Sequence, residues 1–154
     1  MTQPVIDRAG AADIELLLPL LEALFSLEAD FSFDPDKARR ALLLLVNDSE
    51  RSCVLVARAE QKIIGMCSAQ LVFSTAQGAP SAWVEDVVVA QAYRGTGIGQ
   101  RLLSELEQWC QRLGATRLQL VADRDNHPAL DFYRHNGWDG SNLTVLKKII
   151  NTDR

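Results

Sequence analysis

Residues 83–113 read WVEDVVVAQAYRGTGIGQRLLSELEQWCQRL, and the order of signals in that stretch decides the fold. Trp83 to Ala90 is an apolar, β-rich run. A short loop follows and turns on three alternate glycines, Gly95, Gly97 and Gly99. The chain then continues with Ile98, Leu102, Leu106, Trp109 and Leu113 at helical spacing. Strand, glycine turn and helix start make an anion cradle. Glycine allows positive φ and leaves no Cβ between backbone N–H groups and a ligand. The first N–H groups of a helix lack internal partners, and the helix dipole adds partial positive charge there. A phosphate or pyrophosphate is the guest such a turn expects, and Arg94 beside it offers a charge-assisted contact.

Two common nucleotide cradles are excluded. A Walker A loop needs GxxxxGK[ST], and no lysine follows these glycines; GxGxxG fails from both Gly95 and Gly97. The remaining pattern, Arg94-Gly95-Thr96-Gly97-Ile98-Gly99, resembles the acetyl-CoA pyrophosphate loop of the GCN5-related N-acetyltransferases (GNAT). A glycine turn alone is equally a structural device, but VEDVVV before it and Asn126, Phe132-Tyr133 and Gly137-Trp138 after it stand in that family's order and spacing. The resemblance is sharpest from Trp83 to Trp138 and weak before residue 50.

At 154 residues one domain spanning 1–154 is expected, with 47% apolar and 23% charged residues typical of a globular chain. No apolar run approaches the roughly 18–20 residues of a membrane span. The first residues, MTQPVIDRAG, carry no basic or apolar leader, so a cytosolic location is expected. Cys53, Cys67 and Cys110 lack metal-ligand spacing and read as reduced, buried thiols, so no metal is expected. A net charge of −4 argues against nucleic acid as a partner. Between Arg8 and Lys37 there is no Lys or Arg, while seven carboxylates, Asp13 through Asp36, fall there. They form either a solvated acidic face or an electrostatic lure for a cation.

Along the chain, Pro4 to Arg8 reads as a strand. A helix with a wide apolar face (Ile14, Leu17, Leu18, Leu21, Leu24, Phe25) follows, in which Pro19 predicts a break, a bend or a later start. LEADFSFDPDK reads as a loop able to wall a cleft, and Asp36 to Val46 as a second helix. Cys53–Ala59 and Lys62–Thr75 form a hairpin, with Gly65 marking a bulge or close approach. Gln77 to Pro80 is a loop. After the long helix, Thr116 to Ala122 is a strand parallel to the central one, reached by a crossover. Asn126 to Asn136 is a short helix, and Leu143 to Ile150 a final strand. The resemblance implies an α/β (α+β) GNAT fold: a mixed, mostly antiparallel sheet splayed between two parallel strands, flanked by about four helices. It also implies a homodimer formed through late strands.

The chemistry implied is attack of an amine on the thioester of acetyl-CoA. An alkylammonium, with a pKa near ~10.4, must first lose a proton; the oxyanion must be stabilised and the thiolate reprotonated. Tyr133 closes an NxxAxxFY pattern (Asn126, Ala129, Phe132, Tyr133), and the resemblance makes it the general acid; without the motif it would read as a packing residue. Glu85 stands among valines, where a carboxylate is costly unless it has a partner or work. The resemblance to diamine and polyamine acetyltransferases makes it the base or amine contact. Strict alternation pairs Glu85 with Trp83 and Val87 and sends Asp86, read as structural, to the other face. Val87, Val88 and Val89 would pair with the pantetheine amides as an added strand does. Arg94, Gly95, Thr96, Gly97, Ile98, Gly99 and Gln100 would take the pyrophosphate, and Asn126 and Ala129 the pantetheine arm. Glu28 and Asp30 become candidates for a distal ammonium of a small-molecule amine, while Phe31, Phe33 and Trp83 give the cleft an apolar character. A cysteine nucleophile and the histidines His127 and His135 rank below these, since no cysteine has a neighbouring base in sequence. Acetylation of a protein N-terminus or lysine, and a non-catalytic acetyl-CoA sensor, stay open.

Overall fold

Apolar runs with β-branched residues build the middle of the sheet, and helical apolar stripes cover its two faces. The computed structural model describes residues 3–28 and 30–150. Among the described residues five strands, β1 (Val5–Arg8), β2 (Ser52–Ala59), β3 (Lys62–Ser74), β4 (Ala79–Val89) and β5 (Arg117–Gln119), form one sheet in chain order. Neighbours are antiparallel except β4 and β5, which are parallel. The helices are α1 (Ile14–Ser26), α2 (Pro35–Asn47), α3 (Ile98–Arg112) and α4 (His127–His135). By its internal contacts the chain divides into two compact units, Met1–Leu120 and Val121–Arg154.

In the first unit, α1 and α2 cover one face of the sheet. Leu17, Leu18, Leu21, Leu42 and Leu45 pack there with Val54, Val56, Met66 and Val88 in one buried cluster. The other face receives α3, whose Leu102 and Leu106 are fully buried, each contributing roughly 2 kcal/mol. Gly65 is where α3 comes closest: a Cβ there would lie 3.2 Å from Leu102 and 3.4 Å from Ile98. The β2–β3 register shifts beside it, between Ala57 and Arg58, so Gly65 marks both a bulge and a close approach.

Helix α1 runs unbroken from Ile14 with Pro19 inside it, so it starts before the proline. Its entry is held by Arg58, which donates to both Asp13 carboxylate oxygens at 2.8 Å and to Asp7 at 2.9 Å. Helix α2 begins at Pro35, capped by the Asp34 side chain, which accepts from the Asp36 and Lys37 N–H groups. Strand β4 starts at Ala79, four residues before the apolar run at Trp83. Its first half is paired by the long hairpin partner Leu71–Ser74.

In the second unit, α4 carries Pro128 in its first turn, and Gly137 follows it with φ of 89°. The expected strand over Leu143–Ile150 is absent. That segment has no strand pairing among the described residues, and Leu143, Leu146 and Ile149 stand exposed. Composition supplies the propensity, but a strand exists only where a neighbouring edge takes its backbone groups. Thr116–Ala122 likewise shortens to Arg117–Gln119, the three residues that pair with Ser81, Ala82 and Trp83.

Candidate active site

The pairing of β4 with β5 ends at Trp83 and Gln119. From Val84 to Val89 the strand keeps β3 on one side and has no ladder on the other among the described residues. A free edge of this kind accepts an extended ligand through its N–H and C=O groups. The same strand leads into the glycine turn.

That turn is built as the sequence demands. Gly95 and Gly97 hold φ of 76° and 87°, and a Cβ at either would meet nothing within 4 Å, so the loop is open. Gly97 is the N-cap of the 15-residue α3 and offers no side-chain cap. Arg101 is the first residue whose N–H returns to the Gly97 carbonyl, at 3.1 Å, so the N–H groups of Ile98, Gly99 and Gln100 precede the internal ladder. Thr96 Oγ1 donates to the Tyr93 carbonyl and fixes the turn. Arg94 Nε donates to the Val89 carbonyl at 3.0 Å, tying the cradle to the end of β4. An open, uncapped helix terminus with an adjacent guanidinium fits a pyrophosphate.

Glu85 sits at a break in register. Ser68 pairs with Asp86 and Ala69 with Val84, so Glu85 is an extra residue on β4, a β-bulge. The bulge overturns the expectation that Asp86 faces away from Glu85. Across one extra residue the alternation slips, and both carboxylates line the same cavity between the sheet, α1 and α2. That cavity measures about 450 Å³. Its apolar wall includes Leu21, Phe25, Ala41 and Leu45, and its polar lining is Asp48, Ser52, Gln70, Glu85 and Asp86.

The Trp83 indole N–H donates to Glu85 Oε2 at 2.8 Å, fixing that carboxylate beside the aromatic ring. Asp86 accepts from Ser68 Oγ at 3.2 Å. Burial pushes the Asp86 carboxyl up to about 7, and the charges of Glu85 and Glu28 act in the same direction against the Ser68 hydrogen bond. Glu28 is thus within electrostatic reach of the cavity, whereas Asp30 is exposed and lines none of it. Phe31 and Phe33 pack on Phe25 with ring centroids 5.7 and 6.1 Å away. They buttress the cavity wall instead of forming it. Ala29, within the acidic loop, lies outside the described residues. Sequence reasoning missed Asp48, Ser52 and Gln70, which are brought together by the turn in which the Ser52 N–H donates to the Asp48 carbonyl at 2.8 Å and by the register that sets Ser52 opposite Gln70.

The second unit carries Asn126, Ala129 and Tyr133 on α4. Asn126 Oδ1 caps the helix by accepting from the Ala129 N–H at 3.3 Å. The Tyr133 ring packs edge-on against Phe132 and Trp138, with centroids 5.4 and 5.6 Å away. Cys53, Cys67 and Cys110 are free and fully buried. Burial raises Cys53 to about 11 and Cys110 to about 12, and pushes Cys67 up as well. Thiols held protonated this way are poor nucleophiles. Among the described residues no helix is long and apolar enough to cross a membrane.

A free strand edge thus runs into an open glycine turn, beside a cavity whose lining includes the carboxylates of Asp48, Glu85 and Asp86. The chain belongs to the acetyltransferase (GNAT) family, whose model matches residues 19–138. It is similar to N-alpha-acetyltransferase 80 of Mus musculus, 43% identical over 58 residues, which are 38% of this chain and 17% of that protein's length. Its fold matches a transcriptional regulator from Bacillus halodurans C-125 with a TM-score of 0.82 at 24% identity, covering 95% of this chain and 99% of that one. It also matches an aminoglycoside acetyltransferase, meta-AAC0020, from an uncultured soil metagenomic sample, in complex with sisomicin. There the TM-score is 0.76 and the identity 25%, with 97% of each chain covered.

Proposed function

We propose that this acyltransferase moves an acetyl group from acetyl-CoA to a primary amine by direct attack in a ternary complex, as a single domain. The observation that carries the reading is the continuity of β4: one strand bears the free edge, the bulged carboxylates and the lead into the glycine cradle. The backbone of Val87, Val88 and Val89 pairs with the pantetheine amides. Arg94, Gly95, Thr96, Gly97, Ile98, Gly99 and Gln100 hold the pyrophosphate. Asn126, through its Nδ2, and Ala129 contact the pantetheine arm. Glu85, oriented by Trp83, binds the ammonium. Tyr133 protonates the departing sulfur, a role carried over from the motif that it completes.

The acceptor in this reading is a small amine such as a diamine or polyamine, its reacting ammonium at Glu85 and a second one drawn by Glu28 and Asp30. The acidic segment without Lys or Arg before Lys37 supports it. The likeness to an N-alpha-acetyltransferase favours a second reading, acetylation of a protein N-terminus. A panel of diamines, polyamines, aminoglycosides, amino acids and peptides, with thiol release from acetyl-CoA as readout, separates them. Turnover confined to di- and polyamines supports the first; turnover confined to peptides overturns it. Coenzyme binding with no turnover on any amine would instead mark a sensor. Tyr133→Phe should lower kcat by about 10²-fold or more if the phenol is the acid; unchanged turnover across pH removes that role. The protein is further proposed to be a homodimer, and a monomer mass by light scattering at micromolar concentration would remove that assignment.

A further inference from the structure

Resting on the acetyl-transfer reading above, we infer that Asp86, and not Glu85, takes the proton from the incoming ammonium, while Glu85 holds the nitrogen in place. Three observations carry this. The bulge at Glu85 turns both carboxylates into one cavity, so a nitrogen seated there meets both. Glu85 is already engaged by the Trp83 indole at 2.8 Å, which fixes it as a contact. Asp86 receives only the longer Ser68 hydroxyl contact, 3.2 Å, among those that involve its carboxyl in the described residues.

The groups that face Asp86 are acidic or neutral. Glu85 stands beside it on β4, Ser68 opposite it on β3, Glu28 follows α1, and Asp48 at the end of α2 lines the same cavity. Burial and the charges of Glu85 and Glu28 raise its proton affinity to the neighbourhood of working pH, where a general base is most effective. The step balances. One N–H bond of the ammonium breaks and its proton forms an O–H bond on Asp86, leaving a neutral amine whose lone pair forms the C–N bond. As the C–S bond breaks, the sulfur takes a proton from the acid proposed above. That acid is restored by the second proton lost from nitrogen, and Asp86 returns its own to solvent.

The test is the pH dependence of kcat/KM between pH 5.5 and 9, measured on the full chain with an alkylamine turned over by the wild type. Wild type should rise through an inflection near 7. Asp86→Asn should lose about 10²-fold or more in kcat together with that inflection, while keeping its acetyl-CoA affinity. Glu85→Gln should raise the amine KM and retain an inflection, moved downward because the Glu85 charge that helps raise Asp86 is gone. Ser68→Ala, which removes a hydrogen bond that favours the carboxylate, should move the inflection upward. With an acceptor already neutral at assay pH the Asp86→Asn deficit should shrink to within about tenfold. An Asp86→Asn enzyme that keeps its inflection, or a Glu85→Gln enzyme that loses it, overturns the assignment to Asp86 and leaves acetyl transfer standing. A wild type that turns over no amine while binding acetyl-CoA overturns both.

Discussion

Asp86→Asn should make the protein more stable at neutral pH, by an amount that depends on pH in one direction. The carboxyl is held up to about 7 by burial and by the charges of Glu85 and Glu28, against about 3.9 in an unfolded chain. Between those values the unfolded chain has released the proton while the folded one keeps it. Stability is therefore present in full below pH ~4 and is lost as pH rises towards 7. That separation corresponds to about 4 kcal/mol, an upper figure for the loss by pH 8. Asparagine occupies the same volume, keeps an acceptor for Ser68 and does not titrate. Urea unfolding of both proteins at pH 4, 5, 6, 7 and 8 isolates the effect, since every other ionising group is common to the pair. The stability of the variant relative to wild type should climb from pH 4 to 7 and level off above. A pH-independent difference, or one that falls with pH, would refute the placement of Asp86 as a buried carboxyl facing other acids.

Gly65→Ala puts a Cβ 3.2 Å from Leu102 and 3.3 Å from the Val88 carbonyl, so it should cost about 1–3 kcal/mol in denaturant unfolding as α3 is pushed from the sheet. Gly97→Val forces a β-branched residue to φ of 87°; calorimetry should find acetyl-CoA binding weakened at least tenfold, with a stability loss of about 1–3 kcal/mol. Arg58→Leu strands Asp13, whose carboxyl the Arg58 hydrogen bonds hold below its usual range. The variant should lose about 1–3 kcal/mol at pH 7, and less as pH falls through the Asp13 pKa and the carboxylate is protonated. Equal losses at pH 7 and at pH 3 would contradict that account.

The glycine turn, α3 and the β2–β3 hairpin were readable because each is local. Left-handed glycines, a helical stripe from Ile98 to Trp109 and two β-rich runs about Glu60-Gln61 need no distant partner to be recognised. The face of Asp86 was not readable. It depends on how many β4 residues oppose Ser68 and Ala69, a register set between strands and invisible along either one. The same nonlocality explains the final strand: LTVLKKII has the composition of a strand, but pairing depends on an edge elsewhere. Asp48, Ser52 and Gln70 carry no motif and become site residues only through the turn and the strand register that bring them together.

The cavity divides its parts between elements that can change independently. Glu85 and Asp86 stand on β4, the strand that also leads into the glycine turn, while the apolar wall comes from α1 and α2, through Leu21, Phe25, Ala38, Ala41 and Leu45. Substitutions on the inner faces of those two helices alter the room for an acceptor without touching the strand or the turn. Ala38 and Ala41 are the smallest side chains of that wall, so single mutations there can remodel the acceptor volume in small steps. Selection can therefore explore new amines at these two alanines while the apparatus on β4 and the glycine turn stays under separate constraint.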